Sequence, residues 1–158
     1  MYFQAHQLML DNHVDDAIGI LQPLAQQRDC PRVVRDLMSE LLSRQALRSF
    51  HDENPGTAEI RWREALTMAP WRQGNWIAVG VAMSTASHQP ERIEEWLLTR
   101  IEDVGDRLVR ADAYALVGDV YFRHGEFTKA RELYQQSRDA FTLPKYVNIH
   151  AQEGMLGL

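Results

Sequence analysis

This sequence has few of the residues that covalent or redox chemistry needs. Cys30 is the one cysteine, so no intrachain disulfide can form and no thiolate metal cage can be built from it alone. No run of about 18 apolar residues occurs, which leaves no candidate for a membrane-spanning helix. The opening Met-Tyr-Phe-Gln-Ala-His-Gln lacks the basic and apolar regions of a secretory leader. Basic clusters are missing too: 17 Lys and Arg stand against 22 Asp and Glu, for a net charge of −5. A grip on phosphate backbones, and with it a nucleic-acid partner, is therefore not expected. There is no β-branched alternation and no Asn-Gly hairpin signal, so strands are not expected either. Neither a Gly-rich phosphate loop, nor a Gly-x-Ser-x-Gly elbow, nor a His-Glu-x-x-His helix is present. Catalytic residues, cofactor and metal are all read as none.

What the chain does have is helical punctuation over a 45% apolar composition, and its 158 residues suffice to bury one core. The pattern predicts helices at 2–11, 14–27, 31–50, 56–68, 72–86, 90–103, 106–123 and 127–140, with a terminal helix from 145. Pro31, Pro55 and Pro90 fall at first helical positions, and Pro70 and Pro144 stop helices. Pro23 lies inside the second helix and should kink or shorten it.

The helices align in pairs. Small residues Ala5, Ala46, Gly80 and Gly118 recur in the first helix of each pair. Twelve residues after each comes the opener of the second helix, Ala17, Ala58, Arg92 and Ala130, at separations of 41, 34 and 38. One turn further stand Leu21, Trp62, Trp96 and Tyr134, on the same helical face as the openers. Asn12 stands where the last pair has Gly125, and both residue types suit a left-handed turn. Arg92 breaks the small-residue rule. A Leu at Gly118 should push the fourth pair's helices apart, at a cost of roughly 1–3 kcal/mol.

The stretch Ala58 to Pro70, with Trp62 and Ala65 between, together with Tyr114 to Tyr121 and Gly125 to Tyr134, resembles the tetratricopeptide repeat (TPR) family. The resemblance implies an all-α, right-handed superhelical solenoid of antiparallel helix pairs. It spans 1–158 as a single domain, with repeats at about 1–30, 31–70, 71–105 and 106–143 and a terminal helix over 144–158. One helix pair cannot bury its apolar face, so such repeats stack. The segment from Tyr146 to Leu158 reads as a cap or as the first helix of a fifth repeat, with the chain expected to be a segment of a longer bacterial TPR protein. The missing leader makes the cytoplasm the expected location, and Leu-Gln-Pro-Leu-Ala at 21–25, similar to envelope and export arrays, makes it the periplasm for a segment of such a protein.

The histidines have bland readings. His6 and His13 lie seven residues apart, about 10 Å of helical rise, too far to share an ion simply. His51, His88 and His124 fall near turns, and His150 stands alone. The acidic pairs Glu94/Glu95, Glu102/Asp103 and Asp11/Asp15 flank the apolar stripe Ile93, Trp96, Leu97 and Ile101 or border a turn, as solvated surface does. Trp62, Trp76 and Trp96 are expected in the core, and Trp71 either in the core or as an exposed contact.

In the TPR family the first helices form the inner wall. The resemblance assigns that wall to Tyr2, His6, Met9, Ser43, Leu47, Phe50, Ile77, Val81, Ser84, Asp119, Phe122 and Arg123. A peptide or helix laid in this groove would cover the apolar row, with Asp119 and Arg123 as charged contacts and Ser43 and Ser84 as neutral ones. Superhelical curvature could bury the same row instead. The Lys, Asn and Arg clamp of chaperone-binding TPR domains is absent. The expected function is a non-catalytic scaffold for a protein or peptide partner, without membrane insertion. The alternatives are a self-assembling spacer that forms homo-oligomers through its terminal helices, or a regulatory domain sensing a peptide or small ligand.

Overall fold

The computed structural model describes residues 1–86, 89–101 and 105–142. Among them are eight α-helices and no strand: α1 Tyr2–Leu10, α2 Val14–Ala25, α3 Arg32–His51, α4 Pro55–Met68, α5 Gly74–Ala86, α6 Pro90–Leu98, α7 Arg107–Arg123 and α8 Phe127–Phe141. Each helix packs on its predecessor, and α1 touches α3 as α5 touches α7. The terminal helix expected over 144–158, with Pro144 and His150, lies outside the described residues, as do His88, Glu102 and Asp103.

Three turns share one backbone design. Asn12, Glu53 and Gly125 adopt φ of 63°, 58° and 78°, and each stands seven residues after a buried small residue, Ala5, Ala46 or Gly118. The next residue's N–H then reaches back five positions: His13 to Leu8 O at 2.7 Å, Asn54 to Ser49 O at 2.9 Å, Glu126 to Tyr121 O at 3.0 Å. This is the Schellman closure, which satisfies carbonyls that the helix end would otherwise leave without partners. Glu53 is the member that the sequence did not announce, since it carries a Cβ into a conformation better suited to Gly or Asn.

Helix starts follow local chemistry. The Asn54 side chain accepts from Thr57 N at 3.2 Å with Pro55 behind it, a cap of about 1 kcal/mol. Asp106 accepts from Leu108 N at 2.8 Å. Pro31, expected as the first helical residue, instead sits at ψ 145° as the residue before α3. Pro23 has no N–H to give the Gly19 carbonyl, and α2 ends two residues later, at Ala25 rather than 27. Helix α6 stops at Leu98 rather than 103. Thr99 Oγ1 there donates to Glu95 O at 2.6 Å and Arg100 Nη1 to Trp96 O at 3.0 Å, so side chains take the last carbonyls.

The core forms two clusters joined through α3 and α4. One gathers Ala5, Val14, Leu21, Leu37 and Leu41 with Ala65. The other gathers Ala46, Trp62, Val79, Ile93, Leu97, Val117 and Tyr121. Burial of each large apolar side chain contributes about 1.5–3 kcal/mol. Polar stitches cross between helices: Ser39 Oγ donates to Ala65 O at 2.9 Å, Arg35 Nε to Met68 O at 2.8 Å, and Ser137 Oγ to Ala111 O at 2.7 Å.

In the third pair the helix is turned one position from the alignment. Arg92, expected as the opener, is exposed, and Ile93 takes the buried place. A Cβ at Gly118 would lie 2.8 Å from Tyr134 Cε1, sixteen residues on, whereas a Cβ at Gly80 would meet Leu97 Cδ1 at 2.8 Å, seventeen residues on. The knob is therefore Leu97, not Trp96. Trp96 is half-buried with guanidiniums over its ring, and Trp76, also expected in the core, is half-buried with its carbonyl accepting from Trp96 Nε1 at 3.4 Å. Trp62 is buried, as expected.

Candidate partner-binding surface

The nine residues read as a partner groove come from α3 (Ser43, Leu47, Phe50), α5 (Ile77, Val81, Ser84) and α7 (Asp119, Phe122, Arg123). Their surroundings divide them. Leu47 is 49% exposed and Phe122 54% exposed, both high for apolar side chains. Phe122 has Phe127 of α8 edge-on at 5.2 Å. Phe50, Ile77 and Val81 are half-buried. Phe50 leans on Trp62 with centroids 5.9 Å apart, and Ile77 packs against the core.

The polar members are mostly engaged within the chain. Ser43 Oγ donates to Asn75 Oδ1 at 3.1 Å, and Asn75 Nδ2 in turn donates to Ser39 Oγ at 3.2 Å. Ser84 is 5% exposed and its hydroxyl donates to Val81 O at 2.8 Å. Asp119 accepts from the Tyr134 hydroxyl at 2.6 Å. Arg123 is exposed, with Nε 3.4 Å from Asp119 O, and lines a small cavity with Ser84, Val120 and His124. That cavity is where two of the nine, Ser84 and Arg123, come together.

Of the other inner-wall residues, Met9 is buried against α2. Tyr2 and His6 stack at 6.2 Å. His13 lies 4.0 Å from Asp16, and no three His, Cys, Asp or Glu side chains among the described residues are placed to hold an ion.

Hydroxyl and carboxyl groups between helices respond to their packing. Burial pushes the Tyr134 hydroxyl up to about 12, and its hydrogen bond to the Asp119 carboxylate adds to the effect. Tyr121 donates to Glu94, which also pairs with Lys129 at 3.0 Å, so α6, α7 and α8 are tied at one point. Burial and that acceptor raise Tyr121 above its ordinary value. Burial alone would raise the Glu40 carboxyl, but hydrogen bonds from Arg44 and Arg72 outweigh it and hold Glu40 below its usual range.

Two features escaped the sequence reading. Trp71 is tied to α3, its indole N–H donating to Asp36 Oδ1 at 2.5 Å with Arg32 over the ring at 4.3 Å. A cavity of about 420 Å³ opens between α2, α3 and α4, lined by Ile18, Gln22, Met38, Leu42, Arg61 and Met68 among others. None of the nine groove residues borders it. Its signal in the sequence, Gln and Met interleaved on facing helices, is too common to single out. Compared with known proteins, the chain matches no family model and no curated relative.

Proposed function

We propose that this chain is a TPR-like helical-repeat scaffold that docks an extended or helical segment of a protein partner and carries out no chemistry of its own. The observation that carries the repeat reading is the recurrence of one turn geometry at Asn12, Glu53 and Gly125, at one offset from a buried small residue each time. Repeats of this kind present a continuous surface rather than an enclosed pocket. Leu47 and Phe122 support docking on the α3 and α7 side, because exposed apolar side chains gain from cover. Since Ser43, Ser84 and Asp119 are engaged within the chain, Arg123 is the polar contact of that face best able to reach a partner.

The test is retention of a protein from cell lysate by the native chain and by a Leu47→Glu/Phe122→Glu variant whose helicity is unchanged by circular dichroism. Both positions are exposed, so the variant should fold. Loss of one retained protein in the variant supports the reading. Equal retention moves the contact to another face and counts against this groove.

A further inference from the structure

We propose a second binding site on this chain: the cleft between α4, α5 and α6, beside Trp96, takes a carboxylate group presented by an acidic peptide segment of a protein partner. It rests on the scaffold reading only in assuming a protein partner, and it uses residues outside the α3/α5/α7 row.

The cleft measures about 390 Å³ and is bordered by Arg63, Arg92, Arg100, Trp96, Met83 and Glu95. Two guanidiniums are already placed over the indole, Arg63 at 4.1 Å and Arg100 at 4.0 Å from its centroid. Arg63 is steadied by Glu59, which accepts from Nε at 3.0 Å and Nη2 at 2.9 Å, and Nη2 also lies 3.5 Å from the Met83 sulfur. Arg100 is steadied through Nη1 on Trp96 O. The donors left over, Arg63 Nη1 and Arg100 Nε and Nη2, have no acceptor among the described residues. Arg92, the residue that broke the repeat pattern, is exposed, and its guanidinium has no partner among the described residues.

Among the described residues, three guanidiniums thus stand against Glu95 and the Glu59 behind Arg63, a local surplus of one positive charge in a chain whose net charge is −5. Planar guanidinium forks match a carboxylate's two oxygens, and preplaced forks lose little freedom on binding. The half-buried indole of Trp96 lines the cleft and offers apolar surface to the methylenes of a Glu or Asp side chain. Nucleic acid fits less well, since three guanidiniums at one cleft form no basic track along which successive phosphates could lie.

A fluorescein-labelled hexaglutamate peptide titrated against the full chain, followed by anisotropy in about 50 mM salt, tests the site. Hexalysine serves as the blank. Arg92→Gln/Arg100→Gln should weaken binding by about tenfold or more, while Arg131→Gln/Arg138→Gln on α8, with the same change in charge, should stay within about twofold. Arg92→Gln alone removes no contact among the described residues, so its own loss of affinity, about threefold, is set apart from a folding effect. Hexaglutamate binding no better than hexalysine overturns the proposal, as does equal weakening by the two double variants or tighter binding of a single-stranded oligonucleotide. If hexaglutamate fails while the native chain still retains a protein through Leu47 and Phe122, the cleft is rejected and the scaffold reading stands.

Discussion

Leu97 Cδ1 sits so close to Gly80 that a Cβ added to the glycine would lie 2.8 Å away, inside any real contact distance, with Leu116 Cδ2 at 3.0 Å as well. The atoms met are methyl ends, but Leu97 is 3% exposed and has little room to turn away. Overpacking therefore outweighs the roughly 1 kcal/mol that Ala gains over Gly inside a helix. Gly80→Ala should cost roughly 1–3 kcal/mol and Leu97→Ala roughly 2–5 kcal/mol. In the double variant the costs should fall short of their sum by at least about 0.5 kcal/mol, because removing Leu97 makes room for the methyl group. Urea denaturation of the four proteins measures this. Strict additivity would count against the Gly80–Leu97 register.

Glu53 holds a left-handed turn with φ 58° that Gly125 holds without a Cβ. Glu53→Gly should therefore raise stability by about 1 kcal/mol, and Gly125→Ala should lower it by a similar amount. A Cβ at Gly125 meets nothing within 4 Å, so any loss there belongs to the backbone alone. Melting temperatures that move in the same direction in both variants would contradict the shared turn.

Tyr134 and Asp119 predict an alkaline transition. The hydroxyl is raised in the folded chain from its ordinary 10.0 to about 12, so the folded state keeps its proton where the unfolded state has released it. Stability from this group is fully present below pH 10 and declines as the pH rises toward 12. Tyr134→Phe should flatten the fall in melting temperature across that interval, leaving the share due to Tyr121. An unchanged slope would refute the coupling.

Glu40 predicts the opposite edge. Its carboxyl is lowered from 4.5 by Arg44 and by Arg72, whose Nη2 lies 2.7 Å away. The stability it supplies is present above pH 4.5 and is lost as acid takes the pH down through the lowered folded value. Glu40→Gln should lower the melting temperature at pH 7 and converge with the native chain at the acid end. A gap between the two that stays constant at every pH would rule out the ion pair as its source.

The small residues were legible because their constraint is local: Ala5, Ala17, Ala46, Ala58, Gly80, Gly118 and Ala130 are all buried. Of the stripe Ile93, Trp96, Leu97 and Ile101 read from spacing, all but Trp96 are buried. What spacing alone could not decide was the facing of α6, since Trp96 and Leu97 both continue an apolar stripe, and only the partner at Gly80 selects between them. At the candidate groove, the exposure of Leu47 and Phe122 agrees with their helical positions. The engagement of Ser43 by Asn75 and of Asp119 by Tyr134 depends on neighbouring helices and could not be read along one.

The link between Gly80 and the opener of α6 is one residue longer than its counterparts, and on a helix one residue is about 100° of rotation. That extra step works like an offset between two cog wheels. It swings an indole out of the packed seam, brings a leucine in, and sets a charged side chain at the rim, with no change in the helix's own composition. A one-residue deletion in that link would set Ile93 and Leu97 at the twelve- and sixteen-residue spacing of the other pairs, so the leucine would keep the seam and Trp96 would stay outside it among its guanidiniums.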